Sequence, residues 1–488
     1  MPHWSVDQCG IALTGQSTTG RWPDAQRRAW RTFSRRRAPT RARPLVAPRA
    51  SADAPPIGGG LAPRGLLLPP GRSRALTRGR PGVRRFRQAL PPGSWPPPRR
   101  SLFALTARAE RSARTGPEAG RKDARVTRGE ATPDAPEVLL TRRGRLGLVT
   151  LNRPRALNAL NHAMVRRLTA ALEAWAGDPE VAMVAITGAG ERGLCAGGDI
   201  RAIHRDATSG AVDAGAASAA FWRDEYRLNA LIARFPKPYV ALMDGIVMGG
   251  GVGVSAHGDV RVVTERSRVA MPETGIGFTP DVGGTWLLAH APGELGTHLA
   301  LTGGEMTAGD ALHCGFADHH VPSSALPALL ADLADLAETP AERAVAAHAT
   351  PAAPGALPEA RAWIDACYAA DDVAEIVARL RDRPEEAALR AASVLETRSP
   401  TSLKVTLGAV RRVRRLGLSL ERALEAEYHV SRALLASPDL AEGVRAQVVD
   451  KDRSPRWRPA TLDEVTEADV ARYLTTPVDT PGLGLTST

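Results

Sequence analysis

The sequence predicts an α/β protein, and three observations carry that reading. Two continuous apolar runs, Val181–Ile186 and Tyr239–Met243, have the pattern of strands covered on both faces. Each leads through a glycine-rich loop into a helical pattern, the mark of an α/β crossover. From Ser323 onward the chain reads as nearly all helical, with Pro and Gly breaks. This organisation starts only near Pro136.

The first quarter of the chain is different in kind. Residues 1–130 hold 27 Lys+Arg against 7 Asp+Glu, whereas the remainder holds 37 against 45. The basic character therefore belongs to the extension, and the rest is a mildly acidic chain long enough to bury a sizeable core. Residues 1–134 are rich in Arg, Pro, Gly, Ala and Ser, too poor in apolar groups to offset the entropy of ordering, so disorder is expected. Three explanations compete for it. A nucleic-acid tail would mix basic and stacking residues, but Trp4, Trp22, Trp30 and Trp95 are scattered. A mitochondrial transit peptide is Arg-rich and acid-poor, though usually shorter. An inert tail, or upstream sequence translated from a misplaced start, is the favoured reading. Cytoplasmic location is the expectation, with the mitochondrial matrix as the alternative if the extension is a targeting segment.

The elements follow in order. Glu137–Thr141 and Arg145–Leu151 flank Arg142-Arg143-Gly144, a hairpin pattern. Met164, Leu168, Leu172 and Trp175 recur at helical spacing before the stop at Gly177-Asp178-Pro179. The Val181–Ile186 strand leads to Leu194-Cys195-Ala196-Gly197-Gly198-Asp199-Ile200. A helical stretch, 219–235, precedes the Tyr239–Met243 strand and the glycines Gly249–Gly251. Val260–Thr264 and Arg268–Met271 read as further strands, followed by helical segments near 285–290, 293–301 and 307–314. Thr307 is placed as an N-cap and Gly315 as a stop. His319–Val321 is a short strand. Helices are expected near 358–381, 385–397, 400–415 and 419–436. The expected divisions are 1–134, a core at 135–335, a helical region at 336–475 and a tail at 476–488.

Strand, glycine turn and helix start together present bare backbone N–H groups to negative charge. Glu273, in a Met-Pro-Glu-Thr turn, and Asp281, in Pro-Asp-Val-Gly-Gly, follow closely. Two carboxylates beside such a site point to acid–base or nucleophilic chemistry on a carbonyl. Four cysteines without metal or redox spacing fit a reducing compartment and suggest no metal. No apolar run reaches the roughly 18 residues of a membrane span.

Five motifs in order carry a resemblance. Asn152-Arg-Pro with Asn158-Ala-Leu, Cys195-Ala-Gly-Gly-Asp-Ile, Met248-Gly-Gly-Gly-Val-Gly, Met271-Pro-Glu-Thr and Pro280-Asp-Val-Gly-Gly resemble the crotonase (enoyl-CoA hydratase/isomerase) superfamily. Ser399-Pro-Thr-Ser-Leu-Lys, Glu427-Tyr, Glu442-Gly-Val-Arg-Ala and Asp450-Lys-Asp-Arg-Ser-Pro-Arg-Trp look like its 3-hydroxyisobutyryl-CoA hydrolase branch. The resemblance covers about residues 136–475. It implies a crotonase-type spiral of stacked ββα units followed by a helical C-terminal region.

It also implies roles. The backbone N–H groups of Ala196 and Gly250 form the oxyanion hole. Glu273 takes the main catalytic carboxylate position and Asp281 an acidic position of the hydrolase branch. Glu225 contacts substrate, and Arg155, Leu157, Gly198 and Asp199 lie where the CoA nucleotide is held. Hydratases of the superfamily place a second glutamate three residues after the oxyanion glycine; here that residue is Gly253. The implied activity is hydrolysis of 3-hydroxyisobutyryl-CoA, as in valine breakdown, with CoA as part of the substrate and no separate cofactor. Glu273 either attacks the carbonyl or acts as base on water. His257 and Cys195 are assigned no catalysis. The expected partner is a small acyl-CoA, not nucleic acid or membrane, with homo-oligomerisation open. An enoyl-CoA hydratase or isomerase, a non-catalytic acyl-CoA binder and a nucleic-acid binder through the basic extension are the alternatives.

If the start is misplaced, mass spectrometry of the native protein should detect no peptide from residues 1–100; such peptides would exclude that reading.

Overall fold

The computed structural model describes residues 135–335, 340–475 and 482–485; the expectations for residues 1–134 lie outside them. Nine strands form two sheets: β1 Val138–Arg143, β2 Leu146–Leu151, β3 Met183–Gly188, β4 Gly193–Cys195, β5 Tyr239–Met243, β6 Ile246–Met248, β7 Val260–Val263, β8 Arg268–Ala270 and β9 His319–His320. The larger sheet runs β1-β2-β3-β5-β7-β9, and the smaller β4-β6-β8. Among these described strands β1 and β2 pair antiparallel and the other strand pairs are parallel.

The chain climbs as a spiral. Each of the pairs β3–β4, β5–β6 and β7–β8 gives its first strand to the larger sheet and its second to the smaller. A helix or turn then carries the chain to the next level. This is the expected ββα repeat, with its second strands only three residues long. Such short strands carry little periodic signal, which is why β4 and β6 do not stand out in the sequence.

The helices follow local chemistry. Asn161 caps the His162–Gly177 helix by accepting from the Met164 N–H, and Met164, Val165, Leu168 and Leu172 turn inward at helical spacing. Thr307 and Asp310 form the capping box of the Ala308–His313 helix, and Gly315 follows at a φ of +79°. The expected 358–381 helix is two helices, Leu357–Tyr368 and Val373–Arg381, the second capped by Asp372. Asp372 captures two N–H groups of the new helix, which favours a break there over a continuous rod.

Among the described residues one of two apolar clusters extends from Val138 through the spiral to the C-terminal helices and Leu483, and the second joins the other face of the larger sheet to residues 326–333 and 341–345. The helices Pro400–Leu416 and Leu420–Leu435 pack on the Gly284–His290 and Ala216–Ala233 helices of the spiral. Residues 482–485, expected as part of a loose tail, are tied down: the Leu483 and Leu485 N–H groups donate to Glu425, and Arg227 donates to the Leu483 carbonyl.

The two glycine segments meet because β4 and β6 are parallel neighbours. Gly251 abuts the Cys195 carbonyl so closely that a Cβ would lie 2.3 Å from its oxygen. Gly251→Ala should therefore cost about 1–3 kcal/mol in chemical denaturation. Gly177→Ala, with nothing within 4 Å of the added carbon, should stay within about 1 kcal/mol of the parent.

Candidate active site

The glycine segments after β4 and β6 form one wall of a cavity of about 270 Å³. The cavity is bordered by Gly197, Gly198, Gly249 and Gly250, and by Glu225, Glu273 and Asp281. The Ala196 N–H, expected as an oxyanion donor, instead donates to the Leu157 carbonyl at 3.0 Å. The reason is local pairing. Residues 197–199 run beside Leu160 as a parallel bridge, in which the Leu160 N–H donates to Gly197 and the Asp199 N–H to Leu160. That pairing turns the Gly198 N–H to the opposite side. Among the described residues neither the Gly198 nor the Gly250 N–H has an acceptor. The bare N–H groups beside the cavity are therefore those of Gly198 and Gly250, whereas that of Ala196, the donor expected from the sequence, is already bonded.

The helix opened by Gly250 is a single turn, Gly250–Gly253. It has too few aligned peptide units for a macrodipole of consequence, so the exposed N–H groups themselves are what the turn offers.

Three carboxyl groups converge on these donors. Glu225 lies on the Ala216–Ala233 helix and is 2% exposed; Glu273 opens the turn after β8, and Asp281 sits two turns later, each 6% exposed. A Cβ on Gly250 would fall 2.6 Å from Glu225 Oε1, and one on Gly249 would fall 3.0 Å from Glu273 Oε1. Only glycine lets the backbone come this close to both acids. Asp281 Oδ2 accepts from the Tyr226 hydroxyl at 2.7 Å, and that hydroxyl also meets Ser431 Oγ at 2.8 Å. Glu225 Oε1 and Glu273 Oε2 are buried without a hydrogen-bond partner among the described residues.

The turn carrying Asp281 is strained and clamped. Val282 has a φ of +53°, a conformation that a β-branched residue adopts at a cost. Glu427, buried on the Leu420–Leu435 helix, accepts the Gly283 N–H at 2.6 Å and the Thr285 N–H at 2.9 Å. His257 Nε2 meets the Val282 carbonyl at 2.7 Å. His257 is thus a brace for the turn, in keeping with its assignment outside the chemistry.

Burial governs the electrostatics. Desolvation, then the charge of Asp281, pushes Glu225 and Glu273 well above the usual carboxylate range. Desolvation raises Asp281 to about 7 against the lowering effect of the Tyr226 hydrogen bond, and raises Glu427 to about 8. All four bind protons more tightly folded than unfolded. For Asp281 and Glu427 the contribution to stability is present in acid and is lost as pH rises from the ordinary carboxylate range through about 7 to 8.

The remaining wall is apolar and partly C-terminal. Phe221, Trp222 and Phe278 line it, with the Trp222 and Phe278 rings stacked at 5.1 Å. Arg398, Leu440, Val444 and Gln447 complete it from the helical region. Of the residues expected at the CoA nucleotide, only Gly198 borders the cavity. The Arg155 side chain is exposed outside it. Leu157 acts through its carbonyl, bonded to Ala196. Asp199 is spent on structure: it caps the Ile200–Ala207 helix and pairs with Arg153 at 3.0 Å.

Tyr226, Ser431, Glu427 as a clamp, and Arg398 escape a sequence reading. Tyr226 reads as one more core aromatic of its helix, and the others lie roughly 120 to 210 positions from the acids they serve. The Leu420–Leu435 helix itself is expected from the sequence, and it carries the Glu427-Tyr motif, but neither signals the clamp.

Known proteins agree with this architecture. The family model described as enoyl-CoA hydratase/isomerase matches residues 146–474. The chain is 44% identical over 339 residues to the 3-hydroxyisobutyryl-CoA hydrolase, mitochondrial, of Danio rerio, covering 68% of this chain and 87% of that protein. It is 41% identical over 350 residues to the Homo sapiens protein of the same name, covering 70% and 89%. Among solved structures, a carnitinyl-CoA dehydratase from Mycobacterium thermoresistibile superposes with a TM-score of 0.67 at 54% identity, covering 71% of this chain and 98% of that one. An enoyl-CoA hydratase from Rhodobacter sphaeroides gives 0.66 at 43% identity, covering 71% and 99%. With its spiral of stacked ββα units and this match over most of the described residues, the chain belongs to the enoyl-CoA hydratase/isomerase (crotonase) family.

Proposed function

We propose that the protein hydrolyses the thioester of 3-hydroxyisobutyryl-CoA to 3-hydroxyisobutyrate and CoA. The curated relatives named as that hydrolase support the substrate and the reaction. One observation separates this reading from hydration, the activity named for one of the similar solved structures. A hydratase of the family needs a second glutamate at the position of Gly253. There a Cβ would lie 2.8 Å from both Asn229 Nδ2 and the Val282 Cβ. Asn229 and Val282 fill the space, so no acid can stand there without rearrangement.

The chemistry follows from the geometry. The thioester oxygen takes the bare Gly198 and Gly250 N–H groups, which stabilise the negative charge that develops when the carbonyl is attacked. Glu273, whose Oε2 has no competing partner, either adds to the carbonyl carbon or removes a proton from an attacking water. Either route breaks the C–S bond and ends with water oxygen in the acid product and a proton on the CoA thiol. Asp281, fixed by Tyr226, holds the charge balance beside Glu273 and directs the water or the substrate hydroxyl. Glu225, with Oε1 unpaired, accepts the substrate's 3-hydroxyl.

The names of the curated relatives place those proteins in mitochondria. That supports a mitochondrial setting here too, with the arginine-rich, acid-poor first 130 residues as the targeting segment. The expectation of a cytoplasmic protein gains no support from these relatives.

Two outcomes are expected. In a thiol-release assay Glu273→Gln should lose about 100- to 10,000-fold in kcat on 3-hydroxyisobutyryl-CoA; a variant as active as the parent would remove Glu273 from the chemistry. The pH dependence of kcat/KM should rise along a limb set above the usual carboxylate range, because the base must be ionised. The Asp281 charge is one cause of the elevation of Glu273. Asp281→Asn should therefore lower the maximum and move the limb toward acid pH, whereas an unmoved or alkaline-shifted limb would uncouple the two acids.

A further inference from the structure

Hydrolysis of a neutral acyl group leaves one wall residue unexplained. Arg398 borders the cavity, and its Nη2 donates to the Thr302 carbonyl at 2.7 Å, at the end of the Leu295–Thr302 helix. That bond caps the helix and brings part of a negative charge to the guanidinium. It uses one edge of the group. Nε is buried with no acceptor, and Nη1 lies against Gly275, where a Cβ would come within 2.5 Å. No carboxylate among the described residues offsets its charge, and burial pulls its proton affinity down.

Three other arginines that turn inward, buried Arg261 and half-buried Arg411 and Arg414, behave differently. Arg261 pairs with Asp318 at 2.8 Å, and Arg411 and Arg414 share Glu294 at 2.7 and 2.8 Å. A desolvated guanidinium without a counter-ion is costly unless a ligand supplies one. Arg398 faces the cavity that holds the acyl group, two residues along the chain from Glu273 at its contact with Gly275. The chemistry that matches a planar, two-edged donor is a carboxylate.

We propose that Arg398 binds a carboxylate carried on the acyl chain, so that the enzyme also hydrolyses CoA monothioesters of short branched dicarboxylic acids. This rests on the hydrolase reading above. Such a substrate is close in shape to the hydroxy compound: a carboxylate replaces the hydroxymethyl arm on the same branched carbon. Its negative charge would be repelled by the acids of the site, and Arg398 offsets that repulsion. The step is an ordinary hydrolysis. Water adds to the thioester carbon, the C–S bond breaks, the thiol takes a proton, and a dicarboxylate leaves without any oxidant or reductant.

The test compares thiol release from methylmalonyl-CoA and 3-hydroxyisobutyryl-CoA. The parent enzyme should hydrolyse both. The ratio of their kcat/KM values should fall about 10- to 100-fold in Arg398→Met, the usual loss for a hydrogen bond to a charged group. Arg398→Lys keeps the charge and should hold the ratio within about fivefold of the parent. A parent enzyme that releases thiol only from the hydroxy compound overturns the proposal. So does an equal loss on both thioesters in Arg398→Met, which would mean that Arg398 reads the shared CoA limb. If neither thioester is hydrolysed, the hydrolase reading itself fails. Calorimetric Kd values for the same two thioesters then decide: a Kd ratio that Arg398→Met leaves unchanged overturns carboxylate binding, and one that collapses supports it.

Discussion

Three carboxyl groups kept out of water beside two bare N–H groups set the terms for the rest of the molecule. Isolated charges in such a place would neutralise themselves, and desolvation does push these acids toward their protonated forms. The surrounding structure holds them there regardless. The parallel pairing of β4 and β6 brings the two glycine segments together. Glycines at 249 and 250 let the acids approach the backbone. A strained turn at Val282, pinned by Glu427 and His257, presents Asp281. Each of these devices costs stability locally and is recovered by the shared apolar core.

The spiral was legible because its larger-sheet strands are covered on both faces. Runs such as Val181–Ile186 and Tyr239–Met243 have no polar face to blur the pattern. Glycine segments and the two acids following them were legible for a related reason, since few residue types tolerate a close backbone approach to a ligand. Two strands of the small sheet, β4 and β6, were not, because a three-residue strand shows little period. The bare N–H lies at Gly198, two residues beyond the Ala196 expected. Residue type cannot tell which N–H of an extended segment faces the cavity; the bridge to Leu160 decides it.

The expected CoA residues teach a similar lesson. Asp199 was placed at the nucleotide because of its position in a motif. Its carboxylate is a helix cap and the partner of Arg153. Motif residues around the cavity thus divide into those that line it and those that hold the lining loops in place. Asn158 belongs to the second group, its amide donating to the Ala189 and Gly193 carbonyls at 3.0 Å each. Side chains from distant helices, such as Ser431 on Tyr226, leave no periodic trace of such a role.

That last contact changes what counts as a unit of inheritance in this chain. Ser431 and Glu427 reach back across the sequence to set Tyr226 and the Asp281 turn, while Arg398, Leu440, Val444 and Gln447 close the cavity. A gene that ended before Arg398 would still encode every strand of the spiral, both glycine segments and all three acids of the cavity. It would nevertheless specify an open trough with a loosened acid. The helical region is therefore part of the site, and recombination that exchanged it between family members would have to carry its contacts to Tyr226 and Thr285 across as well.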